Sequence, residues 1–282
     1  MIAPRVFGMG ACRLSGPLSE GIKRGIFGRT TIARGGPTPG TYSFGEMFQL
    51  LDVLAGTCSV PAEHRDLCGY REGYEPARGA PGLTGADVCL IEPNGVVDIE
   101  WQGLKLNRAQ VQGQIINPLK AIDKEAGKVG NRWYNKGLLA ANAHVQDEAA
   151  TALDALIPAD FADRQRIVDV LRNARAIERD MAADLAALVA RIPIPVGLVA
   201  YAFGYLPDGR PMFWPANLNI TLTAAAQKLG LPLLEPWRLV EQHGAEAALK
   251  EDLRHYRDDF VPVVADLIAG FATSLTGQIA AT

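Results

Sequence analysis

The sequence predicts an α/β fold: a three-layer α/β/α sandwich with a mainly parallel sheet and a helical insertion. Three observations predict it. Short apolar runs alternate with helix-patterned segments along the 282 residues, the order that βαβ units produce. One such run, "ADVCLIE" at 86–92, is unbroken rather than alternating, which suits a parallel strand covered on both faces. The stretch "DFADRQRIVDVLRNARAIERDMAADLAALVARI" at 160–192 places Ile167, Val170, Leu171, Ala174, Ile177, Met181, Leu185 and Leu188 at steps of three and four. That spacing makes an apolar stripe with a charged opposite face, the pattern of an amphipathic helix.

Taken in order, residues 4–10 read as the first core strand, ending at Gly10-Ala11-Cys12. "SGPLSEGIKRG" reads as a short helix, "IFGRTTIARGG" as a second strand and "PTPGTYS" as a turn-rich loop. "SFGEMFQLLDVLAG" opens with Ser43 three residues before Glu46, a capping box, and closes at Gly56, a C-cap. Residues 57–82 are rich in Gly, Pro and charge and read as loop. "ADVCLIEPNG" is a strand running into a Pro-Asn-Gly turn. Residues 106–192 read as mostly helical, an insertion within one domain spanning 1–282. "IPVGLVAYAFGY" is another apolar strand, "NLNITLTAAAQKLG" a helix ended by Gly230, and "LPLLEPW" a short strand. Phe260, Val263, Val264, Leu267, Ile268 and Phe271 line one face of a closing helix.

Composition excludes several function classes. Hydrophobic residues make up 48% and charged residues 21%, with a net charge of −3, so the chain has the makings of a sizeable core. No Lys/Arg stripe marks a nucleic-acid partner. No apolar run is long enough to span a bilayer, and the short apolar start reads as a core strand rather than a signal segment. The expectation is a cytoplasmic protein. Its four cysteines (12, 58, 68 and 89) form no C-x-x-C pair and only four histidines are present, so no metal site is expected. Disulfides are disfavoured in a reducing cytosol. A small buried hydrophobe is the default for each cysteine, and it suits Cys89 inside its apolar run.

Sites in parallel α/β sheets form at the carboxyl ends of strands. Gly10-Ala11-Cys12 and Glu92-Pro93-Asn94-Gly95 fall at such ends, and "DLRHY", with Asp252 three residues before His255, lies just before the last helix. Cysteine, histidine, aspartate and an amide are the parts of a nucleophilic acyl-transfer site. The thiolate attacks, histidine moves the proton, the carboxylate fixes the imidazole, and N–H donors hold the oxyanion.

In the order and position of these blocks the chain resembles the SGNH hydrolase-like, or GDSL-type, superfamily. That family places Gly-Asp-Ser after the first strand, Gly-x-Asn-Asp after a middle strand and Asp-x-x-His before the last helix. Gly10-Ala11-Cys12 stands where the first block belongs. Glu92-Pro93-Asn94-Gly95 stands at the middle one and keeps only the Asn. "DLRHYRDDFVPVVADLIAGF" matches the last. The Cys is shared with the branches that read Gly-Ser-Cys or Gly-Asn-Cys, which are polysaccharide-associated. The resemblance implies Cys12 as nucleophile and His255 as base, oriented by Asp252. It implies an oxyanion hole from the Cys12 N–H, Gly40 and Asn94, with Tyr42 and Ser43 beside Gly40. Two departures stand out: Ala11 lacks the family's acidic side chain, and the second-block Gly has no clear counterpart.

Each residue also has a plainer reading. Cys12 alone is a packed core residue as readily as a nucleophile. Arg13 either favours the thiolate or binds an anionic group, against a default of a surface side chain. Ser15 is a competing nucleophile that reads better as a helix-start residue. Asp252 is also a cap for the last helix, and Asp258 and Asp259 read as partners of its dipole. Glu92 reads either as a partly buried carboxylate of shifted acidity or as the partner of a nearby arginine, with no catalytic step of its own. The aromatic and basic "NRWYNKG" at 131–137 reads as helix packing before cleft lining. The expected function is hydrolysis of an acetyl-type ester on a carbohydrate or similar polar small molecule, with no resident cofactor. The alternatives are a CoA-dependent acyltransferase in polysaccharide modification, with acetyl-CoA as co-substrate, and a non-catalytic carbohydrate-binding relative. A homo-oligomer through the charged helical face is compatible with each.

Overall fold

The computed structural model describes residues 3–30, 33–34, 40–70, 74–76, 83, 85–202 and 213–279. Parts of the second expected strand, of the 37–43 and 57–82 loops and of the 194–205 run lie outside the described residues. The strands are β1 (Val6–Met9), β2 (Val88–Ile91), β3 (Val97–Trp101), β4 (Leu104–Leu106), β5 (Arg175–Glu178), β6 (Val196–Val199) and β7 (Leu233–Leu234). A two-residue antiparallel pair, Ala33–Arg34 with Glu75–Pro76, stands apart. The helices of eight residues or more are α1 (Cys12–Lys23), α2 (Phe44–Ala55), α3 (Lys124–Arg132), α4 (Ala143–Leu156), α5 (Arg164–Asn173), α6 (Met181–Ala190), α7 (Phe213–Leu229), α8 (Pro236–His243) and α9 (Val261–Ile279). They form two compact units. One comprises Met1–Thr57, Gly73–Gly95 and Asp180–Thr282, the other Cys58–Glu72 and Val96–Arg179.

The first unit is built on a wholly parallel sheet in the order β1-β2-β6-β7. All four residues of β2 and of β6 are buried, because helices cover both faces. Side chains alternate along β2. Val88 and Leu90 join a core with Leu14 and Leu18 of α1 and with Val264, Ile268 and Leu275 of α9. Cys89 and Ile91 point the other way and are equally buried. Gly197 in β6 lets α9 approach: a Cβ there would stand 2.6 Å from side-chain atoms of Phe271 and Leu275. The expected α/β class with a mainly parallel sheet is therefore present. The Ser43 half of the capping box forms, while its Glu46 side chain reaches one residue further back. Ser43 Oγ accepts the Glu46 N–H, Glu46 Oε2 accepts the Tyr42 N–H at 3.2 Å, and Gly56 closes α2 with φ 75°.

The second unit holds an antiparallel sheet, β4-β3-β5, with short helices packed together. The turn from β3 to β4 takes positive φ at Gln102 and Gly103, as a tight two-residue hairpin requires. Trp133 is fully buried and donates its indole N–H to the Leu171 carbonyl at 2.9 Å, while the Tyr134 hydroxyl meets the Arg108 carbonyl at 3.1 Å. The aromatic cluster at 131–137 is thus helix packing.

One sequence expectation fails here. The stripe at 160–192 is not one helix: α5 stops at Asn173, residues Arg175–Glu178 form β5, and α6 restarts at Met181. β4 occupies one edge of β3. The other edge takes Arg175–Glu178 in antiparallel register, from Val97 opposite Glu178 to Glu100 opposite Arg175. Sheet pairing gives those backbone groups the partners a helix would otherwise supply. Asp180 then caps α6, its Oδ1 accepting the Ala183 N–H at 3.0 Å. The buried residues keep their helical spacing within each piece, and only the junction departs from it.

Candidate active site

β1 ends at Met9, the chain turns through Gly10 and Ala11, and Cys12 opens α1. Ala11 is the N-cap of α1 and has no side chain able to cap it. A carboxylate from just past the neighbouring strand instead takes the N–H of Ala11 itself. Glu92, just past β2, donates its N–H to the Met9 carbonyl at 2.8 Å and accepts the Ala11 N–H on Oε2 at 3.2 Å. Its other oxygen accepts Arg13 Nε at 3.0 Å. Gly10 makes room for this approach, since a Cβ there would lie 2.8 Å from the Glu92 Cβ.

Arg13 is 7% exposed and Glu92 1%, so the surface reading of Arg13 gives way to a buried ion pair. The guanidinium also donates to Asn94 Oδ1 and lies 3.5 Å above the Tyr201 ring centre. Asn94 returns a bond from Nδ2 to the Glu92 carbonyl at 2.9 Å. Tyr201, two residues beyond β6, is fixed by Asn219 of α7. Its N–H and carbonyl both pair with that side-chain amide at 2.8 Å.

Cys12 is exposed at the first position of α1. Burial pushes its thiol pKa up, the Arg13 charge and the N–H groups of Cys12 and Arg13 pull it down, and Glu92 adds to the rise. The net direction is upward. The 40–43 loop flanks the same turn. Thr41 donates its N–H to the Gly10 carbonyl at 3.0 Å, and a Cβ on Gly40 would lie 3.5 Å from that oxygen. Burial, with lesser contributions from Cys12 and Glu46, pushes the Tyr42 phenol up to about 12. Ser43 is wholly buried and caps α2.

The Asp-x-x-His block forms a tight hairpin ahead of α9. Lys250 N–H meets the His255 carbonyl at 2.8 Å and Arg257 N–H meets the Ala248 carbonyl at 3.0 Å. Leu253 turns the corner with φ 55°. Asp252 does not cap the last helix, which begins at Val261. Its Oδ1 accepts the N–H groups of Arg254 and His255, both at 3.0 Å, and its Oδ2 pairs with His255 Nδ1. Burial alone raises the Asp252 pKa, but the His255 ring and the two N–H donors outweigh it and bring the group down to about 2. Asp258 pairs with Lys250 at 2.8 Å and Asp259 with Arg257 at 3.3 Å, so both serve the hairpin rather than the helix dipole.

Tyr256 is the residue after His255. It is buried in the same core as Leu14 of α1 and Leu90 of β2. Burial raises its phenol pKa, and the charges of Glu92, Arg13 and Cys12 act on it. Tyr201 likewise lies within reach of Arg13, Glu92, Arg254 and Cys12. Sequence reasoning missed Tyr201 and Tyr256. The tyrosine after His255 stood in the quoted block, but nothing local marked Tyr201.

The fold and these groups define an α/β domain with a thiol at a strand-end turn and an Asp–His pair on the hairpin before the closing helix. A family model described as the TviD N-terminal domain matches residues 4–271, and the chain belongs to that family. No curated protein and no solved structure matches the chain.

Proposed function

We propose that this domain transfers an acyl group to a polysaccharide hydroxyl through a thioester on Cys12. The TviD N-terminal family is related to modification or biosynthesis of a polysaccharide, the Vi antigen, which is compatible with acyl modification in general. The thiol favours transfer. Taking an acyl group from a thioester exchanges one thioester for another, whereas taking it from an oxygen ester makes a higher-energy bond from a lower one.

The observation that carries the reading is the Asp252–His255 pair. Asp252 binds Nδ1, which leaves the Nε2 lone pair as the proton acceptor. Under this reading Nε2 takes the Cys12 proton and Sγ attacks the donor thioester carbonyl. The donor C–S bond breaks, and its thiolate leaves with the proton from His255. An acceptor hydroxyl then gives its proton to Nε2 and attacks the Cys12 thioester, and the Cys12 thiolate is released and reprotonated. Under this reading the N–H groups at the start of α1 meet the oxyanion, with the protonated Tyr42 phenol as a further donor. Asn94 is occupied in holding Arg13 and Glu92, and Ser43 in capping α2.

The test is transfer from an acetyl thioester to a polysaccharide acceptor. Cys12→Ala should abolish it, and His255→Ala should lower it by about 10²–10⁴-fold. Turnover of a chromogenic acetyl ester without any thioester transfer would favour the hydrolase. Polysaccharide binding that survives both substitutions, with no turnover in the wild type, would favour a non-catalytic relative.

A further inference from the structure

We propose that Glu92 and Arg13 are positioning residues for Cys12: a buried, charge-balanced clamp that fixes the Gly10-Ala11-Cys12 turn and cancels most of its own field at the sulfur. The inference rests on Cys12 being the reacting group. It adds the residues that set the place and ionisation of that group, and it assigns Arg13 a task other than binding an anion.

The geometry supports both halves of the claim. Glu92 holds Ala11 by its N–H and Arg13 by its Nε, so the residues on either side of Cys12 are tied to one carboxylate. Arg13 is in turn held by Asn94 and by the Tyr201 face. The guanidinium is thereby held at Nε, at one terminal nitrogen and on one face, and a planar fork held in this way does not reorient readily. The carboxylate that Ala11 lacks is thus supplied by Glu92, 81 residues away in the chain.

The titratable groups facing Cys12 are Arg13 on its own helix, Glu92 beyond β2, Tyr42 in the 40–43 loop, Tyr201 beyond β6 and Tyr256 on the hairpin. The three tyrosines are all shifted upward, so they are neutral across the range where a thiol titrates. Besides the His255 base, which belongs to the reading above, Arg13 and Glu92 are left to set the charge near the sulfur among these groups. They act in opposite directions, with Arg13 favouring the thiolate and Glu92 opposing it.

The experiment is the pH profile of iodoacetamide alkylation at Cys12, read by mass spectrometry of its peptide in the full chain, with thermal unfolding measured alongside. Glu92→Gln keeps the side-chain size, gives up the charge and one of the two acceptor oxygens, and leaves Arg13 unbalanced, so the profile should move down by about one unit. Arg13→Gln should move it up by a similar amount. The double variant should return close to wild type. If Arg13→Gln does not fold, the Glu92→Gln shift and the double variant still decide. Shifts in the same direction for both single variants, or no shift in Glu92→Gln, overturn the proposal. Alkylation needs no acyl donor, so this outcome is separate from the fate of the acyl-transfer reading. A wild type with normal alkylation shifts and no transfer activity would sink that reading and leave the clamp standing.

Discussion

The two halves of the candidate site are held in opposite ways. At the β1–α1 turn, Cys12 sits beside a buried pair whose members lie 79 residues apart in the chain. On the hairpin, Asp252 and His255 lie three residues apart and each side chain is nearly half exposed. The first half exists only once β1 and β2 are paired. The second is a local turn that needs the fold only to place it, through Tyr256 and Phe260 in the core. Stability and activity should therefore separate between the halves. The Cys12 end is costly to disturb, because a buried charge without its partner is strongly destabilising. The Asp252–His255 end is cheap to disturb in stability, because exposed ion pairs contribute little.

Four substitutions or conditions probe this contrast. His255→Ala should lower acyl transfer by about 10²–10⁴-fold, the usual worth of a general base, with unfolding free energy changed by less than about 1 kcal/mol. A large stability loss measured by urea unfolding would break the contrast. Arg13→Met should cost about 3–5 kcal/mol, since Glu92 is left buried without its charge partner. A loss under about 1 kcal/mol in the same urea experiment would mean the pair is not the anchor described. Gly10→Ala should cost about 1–3 kcal/mol, because the new methyl presses on Glu92 and forces the turn to shift. Its transfer rate should fall further than its stability explains, which a wild-type rate at permissive temperature would contradict.

The smallest effect is acid titration of Asp252. Its pKa is lowered in the fold to about 2, so its contribution is fully present above the ordinary carboxylate range and fades as pH falls from about 4 toward 2. Half exposure and solvent screening keep it below about 1 kcal/mol. Comparing wild type with Asp252→Asn across that window should show the difference closing as pH falls. A difference that grows toward acid would reverse the assignment.

Much of the sheet was legible in the sequence. The unbroken run at 86–92 and the apolar run after Pro195 both became buried parallel strands, because a strand covered on both faces has no polar side to show. The capping box at Ser43 and the Asp-x-x-His spacing were legible for a related reason: both are local, and a pattern of three residues carries the contact with it. The break at Asn173 was not legible. Ile177 keeps the helical step, and what turns Arg175–Glu178 into a strand is the open edge of β3, which no window around 175 contains. The Glu92–Arg13 pair escaped for the same reason. Its partners are brought together by strand register, and the expectation that Glu92 meets some arginine could not say which. Ala11 read as a missing acid because the group that replaces it comes from another strand.

The central claim is that Cys12 carries the acyl group. The most direct measurement is peptide mass spectrometry after brief exposure of the protein to an acetyl thioester without acceptor. The account predicts one acetyl group on the Cys12 peptide, released by hydroxylamine, lost in Cys12→Ala and passed on when polysaccharide is added. An acetyl group on another residue, or none on Cys12 while transfer proceeds, would contradict it.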